Sequence, residues 1–181
     1  MPDYREMLSM LVPGAINLDG SGGRSDMRQQ ITAALARVRP RWAAELLLAR
    51  YADDLGALKQ VGYALMQELA GMTYPEKHPP GTLRAVAYAV LSEYTDPPPC
   101  LSCYGTAQTW QMVEGAVTAI DCPVCGGTGR RRMTNDELAQ TLDQWSLWAP
   151  RYARLHHMLR AHERAALETL RGAMQEVPCA P

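Results

Sequence analysis

Two Cys-x-x-Cys pairs constrain what this chain can fold into more than anything else in it. Cys100-Leu-Ser-Cys103 is followed by eighteen residues and then by Cys122-Pro-Val-Cys125, with Gly105 trailing the first pair and Gly126-Gly127-Thr-Gly129 the second. A two-residue gap lets one tight turn aim both sulfurs of a pair at a single point. Two such pairs supply the four thiolates that Zn²⁺ favours in a tetrahedron. Glycines after each pair suit a chain that turns back with φ > 0, where a Cβ is costly; Ala107 departs from that pattern in the first half. Two disulfides would use the same residues, but nothing marks a secreted chain, and thiols then stay reduced. A thioredoxin-like redox pair would need a βαβ context that is missing. The expected cofactor is one Zn²⁺ held by Cys100, Cys103, Cys122 and Cys125. Four protein ligands leave no coordination position open, so the expected role is structural, not hydrolytic.

Between the pairs, residues 107–113 and 116–120 are short β-prone runs about Glu114-Gly115, which predicts a hairpin. A clamped hairpin of this size has too little core to fold alone. Metal binding would then also be folding, worth about 10 kcal/mol in small zinc modules.

The remainder reads as helices. At 181 residues, 47% hydrophobic and 20% charged, the chain is one globular domain or one domain carrying an inserted module. Asp26 is a candidate cap for a helix over 27–39, ended by Pro40. Residues 41–53 continue helically through Trp42, Leu46, Ala49 and Ala52. Leu58, Val61, Leu65 and Leu69 make one face of a helix over 55–69, with Gly71 as its stop. Residues 74–81 hold three prolines and read as an extended connection, with His78 as a solvated side chain in it. Residues 83–94 are amphipathic, with Val86, Val90 and Leu91 inward, and are broken by Asp96 and Pro97 to Pro99. After the cysteines, Thr134 and Glu137 form a capping box for a helix from Asn135 to Trp145 or Trp148. Pro150 suits the first turn of a last helix over 151–174, striped by Tyr152, Leu155, Leu159, Leu170 and Met174. The expected architecture is mainly α, a helical domain with a four-cysteine zinc-binding β-hairpin module inserted between two helices. Its divisions are a flexible segment 1–25, helices over 26–96, the module at 97–133, the C-terminal helices at 134–176 and a tail at 177–181. Cys179 reads as a free thiol.

Charge narrows the function. The net charge of −1 gives no global basicity. The arginines are nevertheless uneven: Arg130-Arg131-Arg132 follows the second pair directly, and Arg151, Arg154, Arg160, Arg164 and Arg171 stud the last helix. No signal peptide and no apolar run of membrane-spanning length is present, so a cytoplasmic protein is expected. The flexible stretch from Asp19 to Ser25 lacks the order and the lysine of a P-loop, which argues against nucleotide binding. The helices over 83–94 and 135–147 could form a helix-turn-helix whose turn is replaced by the module. The second helix of such a motif enters the major groove of duplex DNA. Arg130, Arg131, Arg132, Thr134, Asn135 and Gln140 would then be the DNA contacts. The bland alternative is that three arginines simply make a solvated turn.

The motif order resembles the zinc-containing lambda type of the Q antitermination proteins of lambda-like bacteriophages. The resemblance lies in Cys100-x-x-Cys103-x-Gly-Thr, a hairpin-length spacer, Cys122-x-x-Cys125-x-Gly-x-Gly, and a basic segment ending at Arg132-Met133. It extends to 63–67 (Tyr-Ala-Leu-Met-Gln), to 87–94 (Ala-Tyr-Ala-Val-Leu-Ser-Glu-Tyr) and to Trp145-x4-Pro150-x-Tyr152-x-x-Leu155. The spacer is a few residues shorter than in the lambda type, and the N-terminal segment matches poorly. The resemblance implies a late-gene transcription antitermination factor of a bacteriophage or prophage. Such a protein binds a promoter DNA element and bacterial RNA polymerase, first as holoenzyme and then as elongation complex. It suppresses pausing and termination, in the cytoplasm of the bacterial host, with no membrane and no small-molecule substrate involved.

Two other classes compete. The cysteine-rich region of Hsp40-type chaperones shares C-x-x-C-x-G-x-G and would make this a protein-binding module, although only two repeats exist and His78-Pro79-Pro80 is not a J-domain His-Pro-Asp. Enzymatic candidates are His156, His157 and His162, with Asp53-Asp54 and Asp136-Glu137 as carboxylates. They form no nucleophile–base constellation, and the expectation is that the protein is not an enzyme.

Overall fold

The computed structural model describes residues 23–72 and 80–175, together with Leu8, Leu11 and His78. Among the described residues, four helices lead: α1 (Gly23–Ala36), α2 (Arg41–Tyr51), α3 (Leu55–Met72) and α4 (Pro80–Thr95). Strands β1 (Gln108–Val113) and β2 (Ala116–Asp121) follow, then α5 (Asn135–Thr141) and α6 (Trp145–Gln175). The protein is mainly helical, with one antiparallel hairpin inserted between α4 and α5. Hairpin register runs from Gln108↔Asp121 to Val113↔Ala116. Its two-residue turn puts Glu114 at φ 52° and Gly115 at φ 85°, the doubly left-handed geometry that matches strand twist.

Helix α6 is the spine. Its 31 residues span about 46 Å at 1.5 Å per residue. Trp148, Tyr152, Leu155 and Leu159 enter a core with Val61, Leu65 and Leu69 of α3 and Val86, Val90 and Leu91 of α4. Farther along, Ala166 and Leu170 enter a second cluster with Ile31 and Val38, Leu47 of α2, and Leu8. Leu138 and Leu142 bring α5 onto the first cluster. Asp54 begins α3 by accepting the Gly56 and Ala57 amides on its Oδ1, at 2.8 and 3.0 Å.

Several boundaries differ from the sequence reading. Helix α1 starts at Gly23, so residues 23–25 are helical and not loop, and Leu8 is fully buried beside it. That helix ends at Ala36, short of the expected 39, and Pro40, in extended geometry, is the N-cap of α2. Gly71 lies inside α3 and does not stop it. The helix expected to reach Trp145 or Trp148 ends at Thr141, because Leu142 turns extended (φ −122°, ψ 115°) and buries its side chain. Helix α6 then starts at Trp145, which leaves Pro150 inside it and not in its first turn. A proline there removes one helix hydrogen bond, a cost of about 3 kcal/mol, which burial of Trp148 and Tyr152 on either side of it offsets. His78 is half-buried, its ring 4.6 Å from that of Trp148, and not solvated. Residues 80 and 81 open α4 and are not part of an extended connection; the remaining expectations for residues 1–22 other than Leu8 and Leu11, for 74–77, for the tail and for Cys179 lie outside the described residues.

The spine gives a direct test. Leu155 is 0% exposed at the crossing of α4 and α6, so Leu155→Ala is expected to cost about 2–5 kcal/mol in urea unfolding. An unchanged midpoint would contradict this packing.

Candidate metal centre and its basic flank

The sulfur cluster is built from two near-copies of one turn. After Cys103, Tyr104, Gly105 and Ala107 stand at φ 51°, 85° and 68°; after Cys125, Gly126, Gly127 and Gly129 stand at φ 61°, 77° and 69°. The threonines match as well. Thr106 Oγ1 donates to the Cys103 carbonyl (2.6 Å) and Thr128 Oγ1 to that of Cys125 (2.8 Å). Each half also holds the other: the Cys100 amide donates to Gly129 O at 2.8 Å, and the Cys122 amide to Ala107 O at 2.9 Å. Glycine is required at 129, where a Cβ would lie 2.5 Å from Gly105 O. Ala107 accepts a left-handed conformation that costs a non-glycine residue about 1–2 kcal/mol.

These turns bring Cys100, Cys103, Cys122 and Cys125 together, with all four Sγ atoms within 4.8 Å of one another. The Cys103 and Cys125 sulfurs are 3.8 Å apart, far beyond a disulfide bond, and all four thiols are free. The Gly129 amide reaches Cys125 Sγ at 3.3 Å. Burial pushes the Cys125 thiol up, but that amide and the neighbouring Cys122, Cys103 and Thr128 groups outweigh it and hold the thiol below its ordinary range. Such a set could hold one metal ion.

The chain leaves the cluster as a short ladder against the residues that lead into it. Pro99 bridges Arg130, and the Arg131 amide donates to Pro98 O at 2.9 Å. The Met133 amide then donates to Glu93 Oε1 of α4 at 3.0 Å. Glu93 is buried and also accepts from Tyr152 Oη (2.6 Å), with His156 Nε2 at 2.9 Å. Burial pushes its carboxyl up, yet the bonds from His156, Tyr152 and Met133, with the attraction of His156, outweigh burial and hold it down at about 2. This pair joins residues 63 positions apart, and no local sequence signal points to it.

The six residues expected to touch DNA fall within residues 130–140 and are unequal. Arg131 lies in a two-pronged clamp on Glu137, with Nη1–Oε2 at 2.7 Å and Nη2–Oε1 at 2.6 Å. Glu137 also closes the expected capping box with Thr134, whose side chain is therefore committed to α5. The Arg131 guanidinium, then the Thr134 amide, hold the Glu137 carboxyl at about 2 despite the opposing effect of burial. Arg130 is half-exposed, donates to Pro97 O at 3.0 Å and lies 3.4 Å from Asp96. Arg132, Asn135 and Gln140 are exposed. Among the enzymatic candidates, Asp54 and Glu137 are helix caps and His156 belongs to the buried network. His162 packs edge-on against Trp42 at 4.6 Å, and His157 is exposed.

No known family model matches this chain, and no curated protein matches it. No described helix is long and apolar enough to cross a membrane.

Two outcomes are expected. The sulfur cluster packs chiefly on itself, with Cys100, Cys103 and Cys122 as its buried residues. Chelation should therefore release about one metal per chain and raise amide exchange over residues 97–130 while the helical circular dichroism persists; loss of the helical signal would refute that independence. Because the folded carboxyl of Glu93 is depressed, its stabilisation is complete above the ordinary value of 4.5 and lost as pH falls towards about 2. In chelator, stability should thus decline more steeply across that window in wild type than in Glu93→Gln, and equal slopes would count against the network.

Proposed function

We propose that the protein is a DNA-binding transcription regulator built around a structural Zn²⁺ site. In this reading it acts on bacterial RNA polymerase as a late-gene antitermination factor, the activity implied by its resemblance to lambda-like phage Q proteins. Zinc is favoured by the donor set. A tetrahedron with bonds of about 2.3 Å has sulfur–sulfur edges of about 3.8 Å, and the Cys103–Cys125 separation is 3.8 Å. The ion's chemistry is structural, since four thiolates would fill its coordination sphere.

One observation carries the DNA-binding reading. The arginine segment is fixed at both ends, by the sulfur cluster before it and by Glu93 and the α5 capping box after it. A solvated turn needs no such fixing. Arg130 and Arg132 would take phosphates, and Asn135 and Gln140 would face bases, while Arg131 and Thr134 hold the scaffold. With only seven residues in α5, phosphate contacts carry more of the binding than a long recognition helix would require.

The test is selection of duplexes from a random pool by metal-loaded protein, followed by terminator read-through with purified bacterial polymerase. Arg132→Ala should lower the salt slope of binding by about 0.9, one phosphate contact. Failure to enrich any duplex would falsify the reading. A second reading has one observation in its favour: Trp110, Met112 and Val117 share a hairpin face and are 73%, 70% and 63% exposed. Apolar exposure of this kind suits a protein partner. Loss of polymerase binding in Trp110→Ser, with DNA binding intact, would assign that face.

A further inference from the structure

Between the knuckle exit and α6 lies a cleft of about 1130 Å³, walled by seven arginines and four carboxylates. Two of its four carboxylates are already spent inside the protein; of the others, Glu168 is exposed one helical turn from Arg164. Glu163 accepts from Arg50 (2.8 Å), Tyr51 (2.8 Å) and Tyr94 (2.6 Å). Glu93 is held by Tyr152, His156 and Met133 on the cleft floor. Asp96 faces Arg130, but both are solvated and such pairs contribute little. Arg132, Arg160 and Arg164 remain exposed, and their guanidinium groups make no hydrogen bond or ion pair among the described residues. Arg160 and Arg164 are one helical turn apart on one face, so their charges add, and a cleft focuses the resulting field.

The dimensions and the wall chemistry select the ligand. Arg160 and Arg171 both line the cleft and lie eleven residues apart on α6, about 16 Å along its axis. That length exceeds what one small anion needs and matches several phosphates of a polynucleotide strand, spaced about 3.4 Å along the duplex axis. Unpaired bases would call for open aromatic platforms. The two aromatic rings in the wall that could serve, Tyr51 and Tyr94, lie 5.5 and 4.7 Å from the Arg50 guanidinium, and their hydroxyls are tied to Glu163.

We propose that this cleft is a binding site for the phosphodiester backbone of duplex DNA, with Arg160 and Arg164 of α6 as phosphate ligands beside Arg132. The proposal rests on the DNA-binding reading and extends the footprint from the segment after the knuckles to a surface that the helix-turn-helix scheme does not include. Contacts here are to phosphates, so they add affinity without sequence preference.

The test compares full-length wild type, Arg160→Ala/Arg164→Ala and Arg154→Ala, an exposed arginine of the same helix that does not line the cleft. Fluorescence anisotropy against duplexes of unrelated sequence, and against single strands of equal length, is read over a salt series. The double variant should keep the wild-type unfolding midpoint and lose about two units of log–log salt slope, equally for every duplex. Arg154→Ala should keep the wild-type slope. If wild type binds duplexes and the double variant binds with the same slope, the cleft proposal is overturned while the regulator reading stands. An equal loss in Arg154→Ala, or tighter binding of single strands than of duplexes, overturns it as well. If wild type binds no duplex at all, both readings fall together.

Discussion

The Glu93 carboxylate sits among apolar side chains of α4 and α6, where an isolated charge would cost several kcal/mol. It is tolerated because three donors from two other parts of the chain converge on it: Tyr152 and His156 of α6, and the amide of Met133 just past the sulfur cluster. Apolar packing alone would hold α4 against α6 but would leave the segment after the cluster free to swing. The directional bond to Met133 sets where that segment meets the helical body. The orientation of Arg130 to Arg132, and the position at which α5 begins, follow from it.

Charge in this protein is sorted by location. The chain as a whole is nearly neutral, at −1, yet four of its carboxylates are drawn inward or into caps: Glu93 under α6, Glu163 beneath Arg50 and two phenols, Glu137 against Arg131, and Asp54 at the start of α3. Arginines that serve the scaffold, such as Arg50 and Arg131, are neutralised there. Of those left over, Arg132, Arg160 and Arg164 line one cleft, while Arg154 lies outside it. A protein can therefore carry a basic surface without basic composition, and keep acidic surface elsewhere for other contacts.

Much of this was legible in the chain. The cysteine spacing marked the cluster, the Glu114-Gly115 dipeptide marked the hairpin turn, and the Thr134–Glu137 spacing marked the cap, because each of these signals is local. What escaped sequence reading depends on distance or on competition. Leu142 has helical periodicity with Leu138 and is buried beside it, but its backbone is extended, and α5 stops one residue earlier than that periodicity suggests. Trp145 and Trp148 belong to the next helix because burial of Trp148 outweighs the proline after it. Glu93 looks like any polar residue on an amphipathic helix until His156 is brought beside it. Arg131 is indistinguishable from its neighbours until Glu137, already fixed by its cap, offers both oxygens.

The reciprocal knuckles have a consequence for how such a chain can change over time. The amide of Cys122 closes onto Ala107 at the base of the hairpin, so the cage is complete before the first strand residue is counted. Everything from Gln108 to Asp121 is an arm about 20 Å long, clamped only at its root. Residues added to both strands in matched pairs would lengthen the arm and leave the sulfurs where they are. Its reach and the side chains at its tip can therefore drift rapidly under selection by whatever they touch, while the root stays constant.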